Sequence, residues 1–439
     1  MKASKYNHFF PYTEAQSIAY NGLTNSLALI DNHKLRSYMD FYDNGTPVDE
    51  EFAKELAEGK FLLDDFVQEL DVLRHKMLCA RYRTDSLSMT IAPTNDCQFA
   101  CVYCYEKGSI SHKYMTEEVQ DKLVELLESR IGLISNFSVV WYGGEPLMAF
   151  DVVESLSEKF VKICEENEIK YSASMITNGH MLTRDILSRM SKLHIYSIQV
   201  TIDGLPETHN QMRPLINGDG TFEVIINNLK NGYDLLPPVS LRINIDKDNV
   251  SAGEDIYKFL QENNMLDKIR PYFGKIMSEA GTYSNSRCLG VCDFSELHYD
   301  FVAKTADNDQ GPILYPMLKS AACGADSISS YVIDAEGWIY KCWCDIGIDE
   351  CKVGSIINDF NPTNGRFYEY MLFDPTTSEP CKDCNVLPLC MGGCPYKRVL
   401  GSVDNCSNHK YILRKCLTNA VSFFQNKRIA KHKESAAVQ

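Results

Sequence analysis

The sequence predicts an α/β fold: a partial barrel of six strand–helix units, preceded by a small winged-helix-like domain and followed by a cysteine-rich domain. Three observations predict it. Across 86–310, short apolar runs alternate with amphipathic runs of helical period, the pattern of βαβ units around a parallel sheet. Residues 1–85 carry their own mixture of short strand-like and helical stretches. The seventeen cysteines are bunched, three near residue 100 and nine between 323 and 406.

In the N-terminal part, Ser26–Ile30 reads as a strand, followed by an amphipathic stretch at His33–Phe41. A second helical stretch at Val48–Glu58 leads to Phe61–Leu63 and a third helix over Asp65–Cys79. The barrel strands are expected at Leu87–Ala92, Phe137–Tyr142, Tyr171–Thr177, Ile195–Ile202, Val239–Ile245 and Arg270–Ile276. Helices are expected between them at Thr116–Ser129, Asp151–Asn167, Thr183–Lys192, Phe222–Asn231 and Asp255–Glu262. The expected boundaries are 1–85, 86–310, 311–426 and a basic tail, 427–439, carrying Lys427, Arg428, Lys431 and Lys433. The tail reads as a solvated helix end.

Composition narrows the function. The 439 residues carry 44 Lys+Arg against 59 Asp+Glu, a net charge of −15. That balance speaks against nucleic acid or an anionic membrane as the main partner. No apolar run reaches the roughly 18 residues of a membrane span, and no apolar signal core follows Met1–Lys5. The expected location is the cytoplasm, where clustered cysteines are metal ligands rather than disulfides.

The most informative run is Ala92–Glu106, with Cys97, Cys101 and Cys104 spaced Cys-x3-Cys-x2-Cys. Three thiolates can hold three irons of a [4Fe–4S] cube, which normally takes four; the fourth iron is then open. A zinc knuckle or scattered core thiols are the plainer alternatives. With Tyr103 before the third cysteine, the run resembles the radical S-adenosylmethionine (radical SAM) enzymes. The resemblance implies a partial (β/α)6 barrel in which SAM chelates the open iron and is cleaved reductively, with a flavodoxin or ferredoxin as electron source. Ligands in such sheets sit at the C-terminal strand ends. There the resemblance assigns SAM contacts to Gly143, Gly144 and Glu145 in Trp141–Pro146, to Asn178 in Thr177–Gly179, and to Thr201 and Arg213 in the run Thr201–Arg213. A guanidinium suits the SAM carboxylate because it binds as a fork. Taken singly, Asp203-Gly204 is a turn, Arg213 a surface ion pair, and Gly218–Thr221 a turn without phosphate-loop context.

Cys323, Gly337, Cys342, Cys381, Cys384, Cys390, Cys394 and Cys406 match the pattern of the SPASM extension of that family. Taken alone, Cys381, Cys384, Cys390 and Cys394 also suit a zinc ribbon. The resemblance implies two auxiliary [4Fe–4S] clusters, three in all. Cys381, Cys384, Cys390 and Cys406 would hold one; Cys323, Cys342 and Cys394 would hold the other, with Cys344 a candidate fourth ligand. Cys416 is the alternative to Cys406. Gly337 fits the turn of a hairpin, Ser330–Ile333 against Trp338–Cys342. Cys79, Cys164 and Cys351 read as small buried hydrophobes, and Cys288 and Cys292 lie outside every motif.

The resemblance points to oxidative maturation of a peptide. In sulfatase maturases, which make formylglycine, an Asp follows the equivalent of Cys342 and acts as base; here Trp343 stands there. Asp345, two residues further on, is a displaced candidate base if the strand continues. An N-terminal domain similar to the leader-binding modules of peptide-modifying enzymes favours a cross-link in a ribosomally made precursor peptide, a thioether first. A helical cap is the alternative reading of that domain. An iron–sulfur electron carrier or scaffold is the reading from another class, although a carrier needs no SAM pocket.

Overall fold

The structure is a computed structural model. It describes residues 1–277, 281–306, 311–321, 323–358, 365–402 and 405–437, with side chains to residue 428. The side chains of Lys431 and Lys433 thus lie outside the described set. The N-terminal part contains β1 (Lys2–Ala3), β2 (Asn7–Pro11), β3 (Gln16–Asn21), β4 (Ser26–Asp31), α1 (Asn32–Asn44), α2 (Glu50–Glu58), β5 (Leu62–Leu63) and α3 (Glu69–Arg81). Strands β2, β3 and β4 form an antiparallel sheet, and β1 pairs with β5. Sheet plus three helices is the expected composition, but β1, β2 and β3 were not foreseen. Helix α2 starts where the Asp49 carboxylate accepts from Phe52 N, satisfying a helix-end donor.

The barrel follows as β6 (Ser86–Ile91), α4 (Glu117–Glu128), β7 (Asn136–Trp141), α5 (Phe150–Glu166), β8 (Lys170–Thr177), α6 (Arg184–Met190), β9 (Ile195–Thr201), α7 (Pro206–Met212), α8 (Phe222–Asn231), β10 (Val239–Ile245), α9 (Ala252–Glu262) and β11 (Ile269–Lys275). Every predicted strand is present, with ends displaced by no more than one residue. All neighbours from β6 to β11 pair in parallel. Alternation fixes the faces: Met89, Val139, Met175, Val200, Leu241 and Phe273 are buried under the helices. The half-buried Thr90, Ser138, Ser174, Gln199, Arg242 and Tyr272 occupy the alternate positions, and these line the concave face. Thr116 and Thr183 cap α4 and α6 by accepting backbone N–H groups.

Beyond the barrel come α10 (Val291–Thr305), β12 (Ser330–Ile333), β13 (Trp338–Tyr340), β14 (Gly354–Ser355), α11 (Gly365–Met371), α12 (Leu387–Cys390), α13 (Pro395–Val399) and α14 (His409–Ala437). The predicted hairpin is β12–β13, turning at Gly337 with φ +81°. Strand β12 also pairs in parallel with β6, so one nine-stranded sheet runs β11-β10-β9-β8-β7-β6-β12-β13-β14. The C-terminal part is thereby an extension of the barrel sheet. Helix α14 runs through the 426/427 boundary, and its Ile412, Cys416, Leu417 and Val421 are buried. Residues 427–437 therefore continue that helix.

Nor is the N-terminal part a unit apart. Ile18 and Tyr20 share a core with Val386, Leu389, Leu413 and Leu417, and Tyr6, Leu73 and Met77 share another with Leu387 and Met391. At the end of α3, Arg81 is 1% exposed and pairs with Asp326 at 3.2 Å; Arg398 reaches the other carboxylate oxygen at 3.0 Å. Arg81→Met is expected to destabilise the fold by about 3 kcal/mol, because it leaves one oxygen of buried Asp326 and the Phe373 carbonyl without their donor while Arg398 still pairs with the other oxygen. A urea-unfolding midpoint equal to that of the parent would show that this bridge does not hold the N-terminal part in place.

Candidate radical SAM site

The site begins where β6 ends. Residues 92–97 cross the barrel mouth and lie against the Gly143-Gly144 turn after β7. Gly144 N donates to Thr94 O at 3.3 Å and Glu145 N to Asp96 O at 2.9 Å. A Cβ on Gly143, whose φ is +113°, would strike Thr94 O and Ala92; one on Gly144 would strike the Asp96 carbonyl. The glycines are thus required by close packing of two backbones. Glu145 is buried and ties neighbouring strand ends together. Its carboxylate accepts from Thr177 Oγ1 at 2.6 Å, Asn178 N at 2.7 Å and Leu147 N at 3.0 Å. Burial raises its pKa against these hydrogen bonds.

The three cysteines of the loop come together. Cys97 is within electrostatic reach of Cys101 and Cys104, and Cys101 of Arg213. Burial raises all three thiols, Cys104 to about 12, so metal binding must displace their protons. Tyr103 links the loop to the barrel. Its hydroxyl donates to Asp203 Oδ2 and accepts from Arg213 Nη1 at 2.8 Å and Asn244 Nδ2 at 2.9 Å. One donor and two lone pairs are then all used. Asp203, fully buried, also accepts from Asn244 N at 2.8 Å. The Asp203-Gly204 turn and Arg213 are therefore parts of one buried network rather than a surface turn and a surface ion pair.

His209 supports that network from behind. Its Nδ1 accepts from Asp203 N at 3.1 Å, so the proton sits on Nε2, which donates to Thr221 Oγ1 at 3.0 Å; that hydroxyl donates to Arg213 O at 2.7 Å. Burial, with Arg213 nearby, lowers its pKa to about 3, so the ring is neutral. Among the described residues, the buried donors without partners here include Arg213 Nε and Asn178 Nδ2, along with Gln98 Nε2 of the cysteine loop and Trp141 Nε1. Leaving a buried donor unpaired costs about 1–3 kcal/mol, and a carboxylate-bearing ligand would satisfy the first two. Thr201 ends β9, buried beside Arg242. Besides His209, the sequence reading overlooked Asn244 and Glu106; a Glu106 oxygen is buried without a partner near Cys101 and Cys104. Placement at strand ends was the signal for Asp203 and Asn244.

The C-terminal cysteines gather in two sets. Cys323, Cys342 and Cys394 lie within mutual electrostatic reach, and Cys344 hydrogen-bonds Cys342. Cys381 is within reach of Cys384, Cys390 and Cys406. Cys416 instead packs in a separate cluster with Tyr299 and Ile412. Among the described residues, no three His, Cys, Asp or Glu side chains close around a single metal ion. A cluster does not ask for that, since each thiolate binds its own iron. The donor chemistry of all three sets fits iron–sulfur clusters. Of the unassigned cysteines, Cys164 and Cys351 are buried as expected, while Cys79 and Cys292 are exposed.

Asp345 is not placed as the strand argument required. Strand β13 stops at Tyr340, and Trp343–Asp345 form a 3-10 turn. The carboxylate is buried and accepts from Tyr370 OH at 2.7 Å; burial raises its pKa. Trp343 instead stacks on Tyr142, rings 5.3 Å apart and 23° from parallel. Tyr142 is within electrostatic reach of both Cys104 and Cys342.

Residues 91–260 match the sequence profile of the Radical SAM superfamily. These residues form a radical SAM domain. Domains of this kind use a [4Fe–4S] cluster and SAM, and the Cys97, Cys101 and Cys104 set lies within the matched range. The chain is similar to a cysteine-type anaerobic sulfatase-maturating enzyme of Clostridium novyi (strain NT), 27% identical over 335 residues, or 70% of this chain and 88% of that protein. In fold, it is similar to anSMEcpe with bound AdoMet and Cp18Cys peptide, with TM-score 0.61, 20% identity, and 77% and 99% of the two chains covered. Streptococcus suis SuiB bound to precursor peptide SuiA matches with TM-score 0.54 and 14% identity over 92% of this chain and 98% of SuiB. A match that wide includes more than half of residues 1–85.

Gly144→Ala should displace the radical SAM loop while the C-terminal cysteines stay in place. Anaerobically reconstituted protein is expected to lose about four irons per chain, one cubane. Gly108→Ala, with nothing within 4 Å of the added carbon, is expected to keep its full iron content. Equal iron in the Gly144 variant and the parent would contradict the packing argument.

Proposed function

We propose that this chain is a radical SAM enzyme that oxidatively cross-links a cysteine-containing, ribosomally made precursor peptide, forming a thioether. The observation that carries the choice of reaction is at Asp345. A formylglycine-forming enzyme needs a base after Cys342, and here Trp343 stands there while Asp345 turns into the core against Tyr370. Likeness to sulfatase-maturating enzymes keeps formylglycine formation as the second reading.

In this proposal Cys97, Cys101 and Cys104 hold the SAM-binding cluster. When bound, such a cluster would supply the electron for reductive cleavage of SAM. Arg213 pairs with the SAM carboxylate through the Nε–H that lacks a protein partner. Gly143, Gly144 and Thr201 border SAM, and Asn178 offers its free amide N–H. Tyr103, Asp203 and Asn244 fix the arginine, and His209 fixes Asp203. Cys381, Cys384, Cys390 and Cys406 hold one auxiliary cluster; Cys323, Cys342 and Cys394, with Cys344 beside them, hold the other. A flavodoxin or ferredoxin is the proposed electron source. Residues 1–85 bind the leader, with the peptide adding to an edge of the β2-β3-β4 sheet through main-chain hydrogen bonds. Among the described residues no helix is long and apolar enough to cross a membrane.

The test is anaerobic reaction with a cysteine-containing precursor and high-resolution mass spectrometry. The expected product has lost two hydrogens, kept its sulfur and lost its free thiol. Loss of sulfur with a new aldehyde would establish the formylglycine reading instead.

Two predictions belong to this site. Reconstituted protein should saturate at about twelve irons, three cubanes; saturation near four with stoichiometric zinc would refute the auxiliary clusters. Arg213→Lys should weaken SAM binding about tenfold by isothermal titration with clusters intact, since an ammonium cannot replace a fork. Unchanged affinity would remove Arg213 from the SAM site.

A further inference from the structure

The concave face of the barrel carries a cation that, among the described residues, makes no direct ion pair. Arg242 sits on the concave face of β10, opposite Thr201 of β9 and Tyr272 of β11. Its Nε donates to Asn244 Oδ1 at 2.7 Å. The strand beside it gives up a side chain: a Cβ on Gly274 would collide with Nε, Cζ and Nη2 of the guanidinium. Two independent features thus hold the group in one place. Yet among the described residues Arg242 makes no ion pair. The carboxylate in electrostatic reach, Asp203, has its oxygens taken by Tyr103 and Asn244. The group is half-buried, and its terminal N–H groups are left to the barrel interior. Tyr142 is also within its electrostatic reach.

We infer that Arg242 is a specificity-determining residue that recognises a carboxylate side chain, Asp or Glu, of the substrate peptide inside the barrel. This rests on the proposed peptide reaction. The chemistry follows from geometry. A planar guanidinium, pinned at Nε and backed by bare glycine backbone, presents its Nη groups to a carboxylate oxygen. A hydrogen bond to a charged group is worth about 1.5–3 kcal/mol net, so an acidic residue is preferred over its amide by about tenfold or more. The other concave-face residues named above, Thr90, Ser138, Ser174, Gln199 and Tyr272, are neutral and do not discriminate by charge. A carboxylate could also come from SAM itself, but Arg213, with its unpaired Nε beside the cysteine loop, already serves that group.

The test uses cluster-replete holoenzyme under argon, with and without SAM, and two labelled probes, acetyl-Gly-Asp-Gly-amide and acetyl-Gly-Asn-Gly-amide, in equilibrium dialysis. The expected result is about tenfold tighter binding of the Asp probe by the parent, lost in Arg242→Gln and partly restored in Arg242→Lys. Equal binding of the two probes by the parent, or an Asp preference that survives in Arg242→Gln, would overturn the inference. SAM affinity of Arg242→Gln, measured alongside, separates the two carboxylates: a tenfold or larger loss would assign the guanidinium to SAM and overturn it too. Failure of the parent to bind SAM would instead count against the proposed function, while the probe comparison without SAM still decides the role of Arg242.

Discussion

The mouth of the barrel depends on one buried carboxylate. Asp203 bonds a side chain of the cysteine loop, Tyr103, and a backbone N–H of β10, while its own N–H bonds His209. A charge with no exposed surface is tolerated only when hydrogen bonds and a cation surround it, and Arg213 is that cation. Burial nevertheless leaves its pKa raised. The Arg213 guanidinium is in turn positioned by Tyr103, and its backbone carbonyl is held through Thr221 by His209. A single network therefore locks the loop that carries three thiols to the ends of two strands. Glu145 plays the same part between β7 and β8. Together the two carboxylates leave the barrel mouth rigid before any ligand arrives, which is what a site for a reactive intermediate requires.

The second constraint is the unbroken sheet. Because β12 pairs with β6, the hairpin that leads to Cys342 lies beside the strand that launches the cysteine loop. Cys104 and Cys342 are both within electrostatic reach of Tyr142. The N-terminal part is anchored to the far side of the same C-terminal region through shared cores and the Arg81–Asp326–Arg398 bridge. A peptide docked on that sheet would approach the site along a fixed path.

Much of this was legible in the sequence, for physical reasons. Barrel strands announce themselves because helix-facing positions must be apolar every second residue, so β6 to β11 were placed almost to the residue. Cysteine spacing is equally direct, since the ligands of one cluster must return to one place. What was not legible depends on contacts between distant segments. Strands β2 and β3 mix aromatic and polar residues because one face packs on α14 and α12, and no local period marks that. Helix α7 is short and opens at Pro206, too brief for a period to show. Asp203 looks like a turn residue until Tyr103, a hundred positions away, is brought against it. Asp345 was misplaced because strand β13 ends early and a 3-10 turn follows. What the structure shows demanding glycine at 143 and 144 is the neighbouring loop backbone, which no local sequence pattern reveals.

The central claim is that this framework exists to cleave SAM. Its most direct measurement is chromatography of 5′-deoxyadenosine after anaerobic incubation of cluster-replete, dithionite-reduced protein with SAM, in parallel with Cys101→Ala. The account predicts 5′-deoxyadenosine and methionine from the parent, and neither from Cys101→Ala even though that variant retains its C-terminal iron. A cluster-replete parent that leaves SAM intact, or equal cleavage by Cys101→Ala, would contradict it.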